Sequence, residues 1–193
     1  YNPARTLANL QQLKDKSFAI CGILGSAPTA AAKDFFPQNK IPLIHAYANT
    51  RILASQPKEK RKWYFIAYPD YEDENNYLAS YAINELGAKK IAHFYQNDDY
   101  GHLAAAGVAK AIKESKGKAE LVGKVPYEVT ERALSTHALA LKQTGADTVI
   151  ITASPVHAAS IVKAMATVGY KPRLMNNFTV ADPIMFKLAG QDW

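Results

Sequence analysis

The chain has 193 residues, 48% hydrophobic and 21% charged, which excludes a disordered or fibrous protein and suits one large or two small globular domains. Its single cysteine, Cys21, excludes an intramolecular disulfide and any multi-cysteine metal site, and no apolar run approaches the roughly 18 residues of a membrane helix. The net charge of +6 argues weakly for nucleic acid, because its one dense basic run, Lys58 to Lys62, is broken by Glu59 and the other lysines are scattered beside acids.

The sequence opens at Tyr1, and Asn2-Pro3 reads as the cap and first residue of a helix carrying Leu7, Leu10 and Leu13. No signal peptide is visible, and a mature or truncated chain would not show one; missing sequence is expected at both ends. A strand, Phe18 to Cys21, follows, with Cys21 expected to serve as a small buried hydrophobe. The turn Gly22 to Pro28 leads into a helix through Phe35. A short strand, Ile41 to Ala46, comes after Pro37, and a third, Trp63 to Ala67, after the basic loop.

Tyr68-Pro69-Asp70 then breaks the rhythm. Proline disfavours helix at the residue before it and encourages an extended crossing, so a boundary between two lobes, 1–67 and 68–193, is expected here. Tyr77, Leu78, Tyr81, Ala82 and Leu86 lie along one side of the next helix, which Gly87 ends. Strands at Ile91–Tyr95, Ala119–Val125 and Thr148–Thr152 alternate with helices at Leu103–Lys116, around Leu134, Ala138 and Leu141, and over Ala158, Ile161, Val162, Met165 and Val168. Leu174-Met175 and a short helix from Asp182-Pro183 come last. Alternation of this length implies βαβ crossovers, parallel sheets and an α/β fold with Rossmann-like lobes.

The most informative segment runs from Ile91 to Gly101. A buried strand stops at the polar cluster Gln96 to Asp99, and a helix begins near Gly101. Ligands of open α/β sheets sit beyond the carboxyl ends of the strands, so Tyr100 either faces a small-molecule site or packs a capped loop. A second candidate is the turn Gly22 to Thr29, whose backbone N–H groups and hydroxyls (Ser26, Thr29) suit an anion or carboxylate, or simply cap a helix. It lacks the Gly-Lys-Ser/Thr ending of a Walker loop and the third glycine of a dinucleotide fingerprint, so no nucleotide cofactor is implied. No Ser lies in Gly-x-Ser-x-Gly, and His45, His93, His102, His137 and His157 lack metal-ligand spacing. Neither an enzyme nor a metal centre is expected. His45 and His157 sit near predicted strand ends and could line a pocket.

The order of Gly22–Thr29, Ile44–Leu53, Asn97-Asp98-Asp99-Tyr100-Gly101, Thr152–Ala164 and Gly169-Tyr170-Lys171-Pro172 resembles the branched-chain amino acid type of periplasmic solute-binding proteins, which serve ABC importers. The resemblance covers essentially the whole chain, yet family members are nearly twice as long. It implies the type I periplasmic-binding fold with both lobes incomplete, no cofactor, a periplasmic or membrane-tethered extracellular location, and a membrane permease as partner.

Carried onto this sequence, the resemblance implies that Ser26, the Tyr47 backbone N–H and the hydrogen-bonding residue Asn49, with Thr50 beside it, grip a ligand carboxylate. Tyr100 matches a tyrosine that closes over the ligand. The family's second aromatic of that lobe falls near Ser154, and the acid that pairs with an amino acid's ammonium falls at Phe178. A buried ammonium without a carboxylate is strongly disfavoured, so an aromatic or medium-sized aliphatic acid is expected in the cleft between lobes ahead of leucine. A ligand-sensing domain with the same fold is the alternative.

Overall fold

All seven strands pair in parallel, in two sheets that share no strand. The computed structural model describes residues 1–193, which divide into two compact units, Tyr1–Tyr71 and Glu72–Trp193. The extended Tyr68–Asp70 segment lies just ahead of that division.

The first unit runs α1 (Pro3–Leu13), β1 (Ile20–Cys21), α2 (Ser26–Ala32), α3 (Phe35–Asn39), β2 (Leu43–Ile44), α4 (Arg51–Ala54), α5 (Lys58–Arg61) and β3 (Tyr64–Phe65). Helix α1 starts where Asn2 Oδ1 accepts the Arg5 N–H at 3.0 Å, with Pro3 in the position that needs no donor. The sheet order is β1-β2-β3, and the register sets Ile20, Leu43 and Tyr64 in one row and Cys21, Ile44 and Phe65 in the next. Successive side chains point to opposite faces. Leu43 and Tyr64 pack in a core with Leu10, Phe35, Phe36 and Leu53, while Ile44, Phe65 and Cys21 are exposed. Cys21 is therefore not the buried hydrophobe expected, because its parity places it on the uncovered face.

These strands are also shorter than their apolar runs. Phe18, expected to begin β1, is 92% exposed. Gly22 (φ 73°) and His45 (φ 54°) are both left-handed, so β1 and β2 leave the pleat at neighbouring positions. Pairing resumes only at the single bridge between Leu24 and Tyr47. The helix expected to continue through Phe35 is broken into α2 and α3, with Pro37 in the first turn of α3, where backbone donors have no intrahelical partner. The basic run forms the one-turn helix α5 instead of a loop, and Lys60 reaches Asp34 at 2.8 Å. Hydrogen bonds from Lys60 and Lys33 hold the Asp34 carboxyl below its usual range.

The second unit contains α6 (Tyr71–Asn84), β4 (Lys90–Gln96), α7 (Asp99–Glu114), β5 (Glu120–Tyr127), α8 (Ser135–Gln143), β6 (Thr148–Thr152), α9 (Pro155–Thr167), β7 (Arg173–Asn176) and α10 (Ile184–Leu188), with 3-10 turns at Phe178–Val180 and Gly190–Asp192. Its sheet order is β5-β4-β6-β7, and all five residues of β6 are buried. Phe94, Val149 and Ile151 face a core shared with Leu141, Ile161 and Met165. Ile91 and Ile150 face the other way, against Ile83, Val108 and Ala111. Both sheet faces are thus covered, which explains strands that read as continuous apolar runs.

Helix α6 presents a different face from the one expected. Its buried residues include Asn75, Ala79, Ala82 and Ile83, whereas Tyr77 and Tyr81 stack on each other in solvent with centroids 6.4 Å apart. The cause is close approach to α7: a Cβ on Gly107 would lie 2.1 Å from the Glu72 carbonyl oxygen. Only small side chains fit between helices that near, so the tyrosines turn outward.

Candidate functional site

In the first unit the candidate residues gather where β1 and β2 end. Gly25 (φ 104°) precedes α2, and Ser26, almost wholly buried, accepts the Asn49 N–H through Oγ at 2.9 Å. That bond ties the two strand-end loops together and leaves the Ser26 hydroxyl proton to donate. Asn49 Oδ1 accepts from the Arg51 N–H at 3.0 Å, capping the turn that starts α4 beside Thr50. Arg51 in turn makes two short bonds to Asp70, at 2.6 and 2.9 Å, which anchor the extended 68–70 segment within this unit. Asn49 keeps its amide NH2 as a donor.

One of the residues serves differently from expectation. The Tyr47 N–H donates to the Ile23 carbonyl at 2.8 Å, because the bridge between Leu24 and Tyr47 extends the parallel ladder there. It is not available to a ligand carboxylate. What Tyr47 offers is a half-exposed ring, packed edge-on against His45 at 4.6 Å and Tyr68 at 5.5 Å. Thr29 is buried and its hydroxyl has no protein partner. The left-handed His45 escaped sequence reading; strained non-glycine backbone of this kind concentrates at functional sites.

In the second unit the corresponding positions lie at the carboxyl ends of β4, β6 and β7. Asp98 caps α7, its Oδ1 accepting the N–H groups of Tyr100 (3.0 Å) and Gly101 (3.3 Å). A Cβ at Gly101 would sit 1.9 Å from the Gln96 carbonyl oxygen, so only glycine permits this tight entry. The turn directs Tyr100 inward, where it is 6% exposed. Its hydroxyl meets Thr179 Oγ1 at 2.9 Å and the Asn177 side chain at 3.0–3.1 Å. The Tyr100 hydroxyl thus ties the β4 loop to the β7 loop.

Phe178 begins the 3-10 turn after β7, and its ring is 54% exposed. Its N–H donates to Glu74 Oε1 at 2.5 Å, while Glu74 Oε2 is buried without a protein partner. Burial raises the Glu74 carboxyl above its ordinary range, opposed by the Phe178 N–H and the Asn177 side chain. Glu74 was not legible in sequence, because it meets Phe178 across 104 residues of chain.

Ser154 follows β6 and stands at the N-terminus of α9. Its N–H donates to the Tyr127 hydroxyl at 3.1 Å, and its Oγ lies 2.7 Å from His157 Nδ1. Tyr127 stacks between Phe94 (4.8 Å) and His157 (4.6 Å) and donates to Gln96 Oε1 at 3.0 Å. Desolvation pushes the His157 pKa down and the Tyr127 pKa up, so both stay neutral near pH 7. Tyr127 falls two residues past the expected strand end, so its place in this network was missed. Deeper in, His93 Nε2 contacts Thr152 Oγ1 at 2.9 Å, and that hydroxyl donates to Asn75 Oδ1 at 3.0 Å. Burial lowers the His93 pKa to about 3 and leaves its Nδ1 unpartnered.

No group of three His, Cys, Asp or Glu side chains converges to hold a metal. Both sets of residues are hydrogen-bonding edges with aromatic surface, suited to holding a small polar-ended molecule.

These strand-end loops suit a binding protein, which is the class that the family comparison gives. A family model described as periplasmic binding protein matches residues 1–192, and the chain belongs to that family. Among solved structures, an extracellular ligand-binding receptor from Rhodopseudomonas palustris HaA2 superposes with TM-score 0.87 at 24% identity, over 99% of this chain and 52% of its own. A leucine binding protein, LivK, from Thermotoga maritima MSB8 gives 0.84 at 18%, over 99% and 53%. A solute binding protein of an ABC transporter from R. palustris HaA2, solved with p-hydroxybenzoic acid, gives 0.80 at 18%, over 98% and 51%. The fold is that of the type I periplasmic binding proteins, and the chain spans about half the length of these structures. No protein of curated function matches it in sequence. The family is one of binding proteins with an extracytoplasmic place of work, and no helix here is long and apolar enough to cross a membrane.

Proposed function

We propose that this chain is the solute-capturing part of an ABC importer, non-catalytic, taking a small carboxylate-bearing molecule outside the cytoplasm and passing it to a membrane permease. Family membership over residues 1–192 supports the class of function. The lobes of the reading are 1–67 and 68–193, with Tyr68–Asp70 as the crossing. The carboxylate is held by the hydroxyl of Ser26 and the amide of Asn49, with Thr50 and the Tyr47 ring beside them. The body of the ligand rests on the second lobe near Ser154 and Phe178, while Tyr100 holds the loops that carry them.

The observation that carries the ligand class is Phe178. By the resemblance, Phe178, which is 54% exposed, takes the position where the family's amino acid binders keep an acid, and its ring offers an ammonium no charge. Aromatic walls with a few fixed polar groups favour a flat or apolar body with one anionic end. An aromatic or medium-sized aliphatic acid fits better than leucine.

Calorimetry on the protein as its host makes it, with leucine, benzoate and 3-phenylpropanoate, tests this. The acids are expected to bind and leucine not to, with Ser26→Ala weakening the acids by roughly tenfold or more. Tight leucine binding with no response to the acids rejects the ligand class. Turnover of any bound molecule rejects the non-catalytic role.

A further inference from the structure

The net charge of +6 is not spread over the molecule. Residues Tyr1–Tyr71 hold 10 Lys and Arg against 4 Asp and Glu, whereas Glu72–Trp193 hold 13 of each. The whole excess therefore sits on the first unit, and within it the charge is concentrated further. Its three strands are parallel, and the register of Ile20, Leu43 and Tyr64 sets the amino ends of β1, β2 and β3 level with one another. Lys14 and Lys16 precede β1, Lys40 precedes β2, and Lys58, Arg61 and Lys62 precede β3. Segments far apart in sequence thus bring six cationic residues to one pole of the unit, and all six are exposed.

Little in the unit neutralises them. Of its four acids, Asp34 is taken by Lys33 at 3.2 Å and Lys60 at 2.8 Å, and Asp70 by Arg51 at 2.6 Å. Asp15 and Glu59 remain, and neither is in an ion pair with the six. Lys62 Nζ lies 5.7 Å from the centroid of the Trp63 ring. Helix dipoles give Lys14, Lys16 and Lys40 a local reason, since these follow the carboxyl ends of α1 and α3, where a cation is favoured. They give none for Lys58, the first residue of α5, where a cation is disfavoured. Like charges massed at one end repel one another, and an anionic partner relieves that repulsion.

Resting on the family's place of work outside the cytoplasm, we infer that this pole docks on an anionic membrane surface, its lysines and Arg61 meeting lipid phosphates. The charges come from three separate loops along the end of a sheet, an array suited to the charge density of a surface. Leu13 and Phe18, on either side of Lys14 and Lys16, are 42% and 92% exposed. Apolar side chains beside basic ones settle at the boundary between headgroups and acyl chains, and an aliphatic one such as Leu13 gives a nucleic-acid base nothing to stack on. Ser26 and Asn49 lie at the opposite, carboxyl ends of β1 and β2, so docking by the amino ends leaves them uncovered.

The test is flotation of the 193-residue chain with vesicles of phosphatidylcholine alone, or with about 30% phosphatidylglycerol, in about 0.05 M and about 0.5 M salt. Binding is expected to the anionic vesicles only, and to fall roughly tenfold or more at the higher salt. One basic residue near such a surface is worth roughly fivefold. Replacing Lys16, Lys40 and Lys62 together by Gln should therefore weaken binding by roughly a hundredfold. The same replacement of Lys110, Lys113 and Lys163 removes equal charge from the second unit and should change binding by no more than about threefold. Should the first triple variant fail to fold, Lys14→Gln, Lys58→Gln and Arg61→Gln together carry the same expectation. Equal binding to neutral vesicles overturns the inference, as does an equal loss in the two kinds of variant, which would make net charge the cause. A DNA oligonucleotide bound as tightly as the anionic vesicles at the same salt overturns the assignment to a membrane. No solute enters these measurements, so their failure leaves the solute-capturing reading standing, and failure of the calorimetry leaves this one.

Discussion

The two sheets are built on the same parallel plan, yet one is thick and the other thin. The second unit covers both faces of four strands, so β6 is buried at every residue. The first unit covers one face of three two-residue strands and leaves Ile44, Phe65 and Cys21 exposed on the other. The contrast shows where burial is concentrated within these 193 residues. A fully packed sheet resists any change in volume, whereas a bare row of side chains tolerates it. The candidate residues follow suit. In the second unit they are locked through buried partners such as Tyr127 and His157, and in the first they hang on a few loop bonds such as Ser26 to Asn49.

The sharpest way to break this comparison is to truncate isoleucines in both sheets of the 193-residue chain. Ile151→Ala, in the core of the second unit, should cost about 2–5 kcal/mol by urea unfolding, and Ile44→Ala no more than about 0.5 kcal/mol. Equal losses would refute the claim that the two sheets differ in burial. Next comes Gly107→Ala, whose Cβ would press the Glu72 carbonyl and force α6 from α7. A loss of about 1–3 kcal/mol is expected, read by thermal unfolding together with altered solvent exposure of Tyr77 and Tyr81.

The acid limb of stability tests the buried polar groups of the second unit. The folded pKa of His93 is depressed to about 3, so its neutral form stabilises the fold above about pH 6.5. That contribution is lost as pH falls below 6.5, at up to about 1.4 kcal/mol per pH unit, because the unfolded chain binds the proton and the folded one does not. His93→Gln, which can still donate to Thr152 but does not titrate, should flatten the limb by about 2 kcal/mol at pH 5. An unchanged slope in this variant would show that His93 has no part in it.

The smallest effect is expected at Glu74. Its folded pKa is raised, so the fold prefers it protonated, and stability falls as pH rises from the ordinary carboxyl value through the raised one. Glu74→Gln is always neutral and can still accept the Phe178 N–H. It should be more stable than the parent at pH 7 and no different below about pH 4.5. A variant less stable at pH 7 would mean that the charged form is the one the fold holds.

The sequence alone determined the order of strands and helices in the second unit, and β6 to the residue. The apolar run Thr148–Thr152 is β6 as it stands, and the period of Ala158, Ile161, Val162 and Met165 is the buried face of α9. Strands buried on both faces, and helices with one apolar stripe, carry their structure in local pattern. It also located the strand-end loops, since polar clusters and glycines mark where parallel strands stop. Tertiary structure alone decided which atoms in those loops are at liberty. Tyr100 turns inward because Gly101 lets the chain pass close to Gln96, and the Tyr47 N–H is taken by Ile23. Tyr77 and Tyr81 face out because two helices nearly touch at Gly107, 26 residues beyond Tyr81. The same holds for the His157 ring, whose Nε2 meets a carbonyl 26 residues away. Local pattern fixes which backbone groups pair within an element, but the direction of a hydrogen bond between loops depends on neighbours that only the folded chain brings together.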